Sequence, residues 1–285
     1  MNNINACDDS SVCTASDTCN GGKCVGKAIS CDDANVCTTD ACDAVKGCGH
    51  ANVVDGAVCP GGLCAAGNCK LTYLIAHYAF EEASGTKFLD SSGNGNDGSH
   101  NAAYVAGKKG QALSFGGTAL AKVTTGGPTF TWGANNADYT VEYWIYVIGV
   151  NANWVSPFHK SDPTGLDFGP VYKRSPAHFF YPGLSNIVSV MSTVADANHY
   201  YGAGTGALPL KTWIHFAVVH SGGSQLLYIN GILIANDPLG SPTTGGPGVL
   251  YLGNDGFYAG LNGYMDEVKI YSKALTIVEI QADML

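Results

Sequence analysis

The sequence predicts an all-β protein: an antiparallel β-sandwich of about 215 residues behind a small disulfide-rich repeat segment. Three observations carry this reading. All eleven cysteines of the 285-residue chain fall between Cys7 and Cys69. Beyond residue 70, short runs of Val, Ile, Tyr, Phe and Trp alternate with Gly, Asn, Asp and Pro, the pattern of strands and turns. Only 276–284 reads as a helix. The expected domains are residues 1–70 and 71–285.

The first segment holds few large apolar side chains, among them Ile4, Val12, Val25, Ile29 and Val36. Their burial cannot offset a backbone entropy cost of about 1–2 kcal/mol per residue. Disulfides worth about 2–4 kcal/mol each are expected to do so, which implies an oxidising compartment and an extracellular or cell-surface location. Cys7-Asp8-Asp9-Ser10-Ser11-Val12-Cys13-Thr14 recurs as Cys31-Asp32-Asp33-Ala34-Asn35-Val36-Cys37-Thr38. The first copy continues with Cys19 and Cys24, the second with Cys42 and Cys48, and a shorter third unit holds Cys59, Cys64 and Cys69. Three units in a row are expected, each stapled internally, as an extended rod. The cysteine number is odd; the third unit is one short, so the spare thiol is expected there or bonded outside the chain. Connectivity does not follow from spacing. Zinc is disfavoured, because no Cys-x2-Cys pair occurs. Asp8, Asp9 and Asp17, or Asp32, Asp33, Asn35 and Asp40, suit either a calcium cage or turns that bond their own backbone.

In the second domain, strands are expected over 74–80, 112–115, 139–147, 212–220, 225–229, 232–235, 248–252 and 263–271. Asn230-Gly231 between apolar runs predicts a two-residue type I′ hairpin turn.

A set of motifs in order then becomes specific. Phe80-Glu81-Glu82-Ala83-Ser84-Gly85 precedes Asp90-Ser91-Ser92-Gly93-Asn94-Gly95-Asn96-Asp97-Gly98. Gly110-Gln111-Ala112-Leu113-Ser114-Phe115, Trp213-Ile214-His215-Phe216-Ala217 and Leu227-Tyr228-Ile229-Asn230-Gly231 follow, and Gly263-Tyr264-Met265-Asp266-Glu267-Val268-Lys269-Ile270-Tyr271 with Ala274-Leu275 closes the series. Over about residues 73–284 the chain resembles the laminin-G-like, concanavalin-A-like jelly roll superfamily. The first segment resembles Cys-rich repeats of large secreted bacterial surface proteins. The resemblance implies a jelly-roll sandwich, often with one structural calcium, serving as a lectin-like or adhesive module. Alternation along the last strand would place Asp266 at the edge of the apolar face of Val268 and Ile270, where a lone carboxylate is costly. The expected calcium ligands are Asp90, Asp266, Asn96 and the carbonyl of Gly93, with Glu82 as an extra.

The net charge of −9 with 13% charged residues leaves no basic patch for nucleic acid. No apolar run of about 18 residues spans a membrane. Met-Asn-Asn-Ile-Asn at the start lacks a signal-peptide pattern, so a fragment or processed form of a longer protein is expected. The five glutamates, Glu81, Glu82, Glu142, Glu267 and Glu279, include no Glu-x-Asp-x-x-Glu strand, and no nucleophile elbow or His-Glu-x-x-His occurs, so no enzyme is expected. His215 is expected to pack in its strand.

The stretch 151–201 is the most aromatic and irregular. Trp154, His159, Tyr172, Arg174, Tyr181, His199 and Tyr200 are the candidate ligand contacts, for a glycan or a surface protein, with the Asn254-Asp255-Gly256-Phe257-Tyr258 loop at the rim. Two readings remain: a lectin-like adhesion module on a disulfide-stapled stalk, or a structural subunit packing with other copies into a filament or surface layer. A glycoside hydrolase is disfavoured.

Overall fold

The structure, a computed structural model, describes residues 7–59, 62–71, 73–123, 132–134, 136–160, 174–196, 199–201, 206–246 and 248–285. The chain divides into two compact units, Met1–Tyr73 and Leu74–Leu285.

Among the described residues, the larger unit is built on two antiparallel sheets of eight strands each, with a further pair formed by Trp132–Ala134 and Thr244–Gly246. At the centre of the first, Tyr139–Val147 lies between Gly263–Tyr271 and Trp213–Ser221. Ser224–Ile229 and Ile232–Pro238 extend one side. Leu74–Tyr78 and Gln111–Ser114 share the far edge of Gly263–Tyr271, and Ala103–Ala106 follows outside Gln111–Ser114. The second sheet runs His199–Tyr201, Ile187–Met191, Ala177–Phe180, Val155–Lys160, Leu250–Leu252, Ala121–Val123, Gly98–His100 and Lys87–Phe88. Side-chain alternation sends Val141, Tyr143, Ile145, Phe216, Val218 and Met265 inward from the first sheet, to meet Phe158, Phe180, Ile187, Leu250 and Leu252 of the second in one core. Each such large apolar side chain contributes about 1.5–3 kcal/mol by burial.

Several expectations meet their local causes here. Asn230 (φ 50°) and Gly231 (φ 70°) both take the left-handed conformation that a type I′ turn needs. The helix is Ile277–Asp283, started by a capping box in which Thr276 and Glu279 satisfy each other's backbone N–H. The irregularity expected over 151–201 is corrected: four strands of the second sheet lie there. Every residue of Val155–Lys160, Ala177–Phe180 and Ile187–Met191 is buried, so no polar–apolar alternation marks them. Pro157 falls at a break in register between Val155 and Phe158, where a missing N–H is tolerated.

The face of Asp266 is also corrected. Ile145 pairs with Met265, but Val141 pairs with Ile270, so the last strand carries one extra residue. Glu267, with φ 51°, takes up the bulge. Met265 and Val268 therefore both face the core, and Asp266 turns to the opposite face beside Trp144.

The smaller unit contains three hairpins: Thr14–Asn20 with Lys23–Ala28, Thr38–Asp43 with Gly47–Asn52, and Gly62–Ala65 with Asn68–Leu71. Its disulfides are Cys7–Cys24, Cys13–Cys42, Cys31–Cys48, Cys37–Cys64 and Cys59–Cys69. Two expectations fail. The repeats are not each closed on themselves, because Cys13–Cys42 and Cys37–Cys64 join successive units. The free thiol is Cys19, in the first unit rather than the third.

Candidate functional site

The outer face of the second sheet carries an aromatic cleft around a buried guanidinium. Ala177–Phe180 sends Phe180 inward and Phe179 outward, where Phe179 joins Ala177, Val188 and Val190 in a separate cluster. Trp154 at the head of Val155–Lys160 packs against Tyr181 at 4.7 Å and meets Phe179 edge-on at 6.2 Å between ring centres. Tyr258 stands edge-on to Phe179 at 4.9 Å. Arg174, 3% exposed, lies over the Phe179 ring at 5.0 Å and donates from Nη2 to Tyr258 Oη at 2.7 Å. Trp154, Arg174, Phe179 and Tyr258 line a partly open cleft of about 50 Å³.

A buried His–Asp hydrogen bond fixes the loop that brings Tyr258. His159 Nδ1 and Asp255 Oδ2 are 2.7 Å apart, each side chain 1% exposed. Asp255 Oδ1 accepts the N–H groups of Phe257 and Tyr258, so the Asn254–Tyr258 turn is built on this carboxylate. Burial pushes the Asp255 carboxyl up, but the hydrogen bonds from His159, Tyr258 and Phe257 outweigh it and hold the group below its usual range. The strand itself docks on this loop, through Ser156 N–H to Ala259 O and Ala259 N–H to Trp154 O.

Of the sequence candidates, Trp154, Arg174 and Tyr181 come together here, and His159 lies beneath them as the anchor of the Tyr258 loop. Tyr172 lies outside the described residues. His199 and Tyr200 belong to the edge strand that pairs with Ile187–Met191; their side chains lie outside the described residues. Phe179 is not among the contacts the sequence leads one to expect, and Asp255, expected only as a member of the rim loop, is the carboxylate on which that loop is built.

The five candidate calcium ligands have three separate sets of partners. Asp90 Oδ1 accepts the N–H groups of His77 and Ser92, and its Oδ2 accepts Asn96 N–H and Nδ2. Asn96 Nδ2 also reaches Ile75 O, and Gly93 N–H donates to Asp90 O within the same loop. Glu82 accepts from Leu89 N–H and Tyr104 Oη. Asp266 is fully buried; its Oδ2 accepts Lys109 N–H at 2.9 Å while its Oδ1 has no partner among the described residues. Burial pushes the Asp266 carboxyl up to about 7. In this arrangement the five residues do not make one oxygen cage, and an ion at Asp90 would have to displace N–H donors that already satisfy it. In the smaller unit, Asp8, Asp9 and Asp17 converge, as do Asp33, Asp40 and His50. Their carboxylates cap local turns, for example Ser11 N–H to Asp9 Oδ1 and Asn35 N–H to Asp33 Oδ1.

Two antiparallel sheets packed on one shared core in this strand order define a jelly-roll sandwich. A family profile described as the concanavalin A-like lectin/glucanases superfamily matches residues 115–281. The chain belongs to this superfamily. A search of curated proteins gives no match. Among solved structures, the chain is similar to domain 4 of AbnA, a GH43 extracellular arabinanase from Geobacillus stearothermophilus, in complex with arabinotriose: TM-score 0.56, 21% identity, 75% of this chain and 98% of that one. It is also similar to the botulinum neurotoxin serotype D ligand binding domain in complex with N-acetylneuraminic acid: TM-score 0.56, 14% identity, 74% of this chain and 50% of that one. A third is the Trypanosoma rangeli sialidase: TM-score 0.53, 15% identity, 81% of this chain and 35% of that one. These likenesses establish the fold; both binding domains and enzymes carry it.

Proposed function

We propose that residues 74–285 form a non-catalytic carbohydrate-binding module, an adhesive lectin-like domain displayed outside the cell with the disulfide-linked repeats. The observation that carries this is the cleft itself. Trp154 and Tyr258 offer aromatic faces for the C–H surface of a sugar ring, and the buried Arg174 supplies fixed donors for its oxygens. The His159–Asp255 pair holds one wall in place before any ligand arrives, which lowers the ordering cost of binding. That two structural neighbours hold sugars, arabinotriose in one and N-acetylneuraminic acid in the other, supports the ligand class. The five disulfides support an oxidising, extracellular setting.

Hydrolysis of a glycosidic bond calls for two carboxyl groups about 5–10 Å apart across the cleft. Among the described residues that line the cleft none is acidic, and Asp255 behind them has both oxygens committed to His159 and the loop backbone. Calorimetric titration with arabinotriose and with N-acetylneuraminic acid tests the reading. Binding of one of these sugars is expected, with loss of the signal in Trp154→Ala. Release of reducing sugar from arabinan, or sugar binding that Trp154→Ala leaves unchanged, would overturn it.

A further inference from the structure

The three Cys-rich units obey one bonding rule. Each hairpin opposes two cysteines across its strands: Cys19 and Cys24, Cys42 and Cys48, Cys64 and Cys69. The second of each pair closes its own unit, on Cys7, Cys31 and Cys59 respectively. The first of each pair receives the preceding unit: Cys42 takes Cys13, and Cys64 takes Cys37. Cys19 occupies the same receiving position in the first unit, and it is free. The third unit has no cysteine in the donating position, so the series is closed toward the large domain and open toward the N-terminus. The odd cysteine number follows from one unused receiver.

Hydrogen bonds between successive units follow the same rule. The donating loop of the first unit docks on the hairpin turn of the second, through Val12 N–H to Ala44 O at 3.0 Å. The donating loop of the second docks on the turn of the third, through Asn35 Nδ2 to Gly67 O at 2.9 Å. Added Cβ atoms on the turn glycines Gly47 and Gly67 would meet Val12 and Asn52. The corresponding turn of the first unit, Asn20-Gly21-Gly22-Lys23, is exposed, and a Cβ on Gly21 or Gly22 would meet nothing within 4 Å among the described residues. The first two units are equivalent in detail: Asp9 N–H bonds Asp17 and Asp33 N–H bonds Asp40, while Thr14 and Thr38 each bond the Asp five residues earlier.

We propose that Cys19 and the 20–23 turn are a receiving site for a further unit of this same repeat type, joined in series ahead of the first. The donating cysteines lie 29 and 27 residues before their receivers, so a donor for Cys19 would stand at a similar distance before it. Bond formation joins the two Sγ atoms. The two thiols lose two protons and two electrons, which pass to a small-molecule disulfide such as oxidised glutathione and reduce it to two thiols through a mixed disulfide. The site makes the repeat array extensible in one direction only.

The test compares the full chain with a version in which residues 7–30 are duplicated directly ahead of Cys7, both folded in a glutathione redox buffer. Alkylation and peptide mass mapping of the full chain are expected to find one free thiol, at Cys19. In the duplicated chain one free thiol is again expected, now in the added unit, with Cys19 bonded to the added copy of Cys13. Cys19 remaining alkylatable while the added Cys13 copy is bonded elsewhere would overturn the proposal. So would quantitative Cys19–Cys19 dimerisation of the unmodified chain, because a second copy would then be the partner. Cys19→Ser in the unmodified chain provides an independent arm: all five disulfides are expected to form, and loss of any of them would contradict a receiver held for another unit.

Discussion

His178 sits between the two sheets, fully buried, with its ring stacked on Phe158 at 4.8 Å and its Nδ1 2.9 Å from Tyr143 Oη. Burial, with a smaller contribution from the charge of His159, lowers its pKa from 6.5 to about 3. The unfolded chain therefore binds more protons than the native one across that interval. Stability is complete above the unfolded value and falls as pH drops below it. Between about pH 7.5 and about pH 5 the loss works out at about 2 kcal/mol for this one side chain. Replacing it with Asn keeps a polar atom near Tyr143 and removes the titration. The fixed cost of His178→Asn is the same at both pH values, so the informative quantity is the difference between wild-type and variant unfolding free energies. Urea unfolding followed by tryptophan fluorescence should find that difference about 2 kcal/mol smaller at the lower pH. Asp266, raised by burial to about 7, acts in the opposite sense: the native state gains its proton first, and stability falls as pH rises from the unfolded value of 3.8 toward 7. It is present in both proteins and cancels. Parallel pH curves for wild type and variant would refute the burial of a neutral imidazole at this position.

Other outcomes follow from the same structure. A Cβ at Gly98 would fall 2.0 Å from Phe88 Cζ inside the sandwich, so Gly98→Ala should destabilise by about 1–3 kcal/mol through overpacking; thermal unfolding reads this. Tyr143→Phe leaves the Nδ1 of His178 without its partner and should cost about 1–3 kcal/mol in the same assay. Asp255→Ala removes the acceptor that fixes the Tyr258 loop, and should abolish sugar binding while the near-ultraviolet spectrum of the core aromatics is retained.

Much of the fold was legible because its causes are local. The apolar runs at 139–147, 212–220 and 263–271 mark strands of the first sheet, the Asn230-Gly231 pair fixes a turn, and Thr276 with Glu279 starts the helix. What was not legible depends on distant partners. The second-sheet strands within 151–201 are covered on both faces and lose their alternation. The bulge at Glu267 becomes visible only in the pairing with Tyr139–Val147, yet it decides which way Asp266 points. The cross-linking of successive Cys units is a property of their stacking, which spacing alone does not encode. At the site, Trp154, Arg174 and the 254–258 loop were readable as aromatic and polar clusters. The His159–Asp255 pair that unites them joins residues 96 positions apart.

The most direct test of sugar recognition at this cleft is a glycan array probed in parallel with the intact protein and with Arg174→Ala. Selective retention of the intact protein on a defined set of glycans is expected, with loss of that retention in the variant. Equal retention of both proteins on the same glycans would place sugar recognition away from the Trp154–Tyr258 cleft and contradict the assignment.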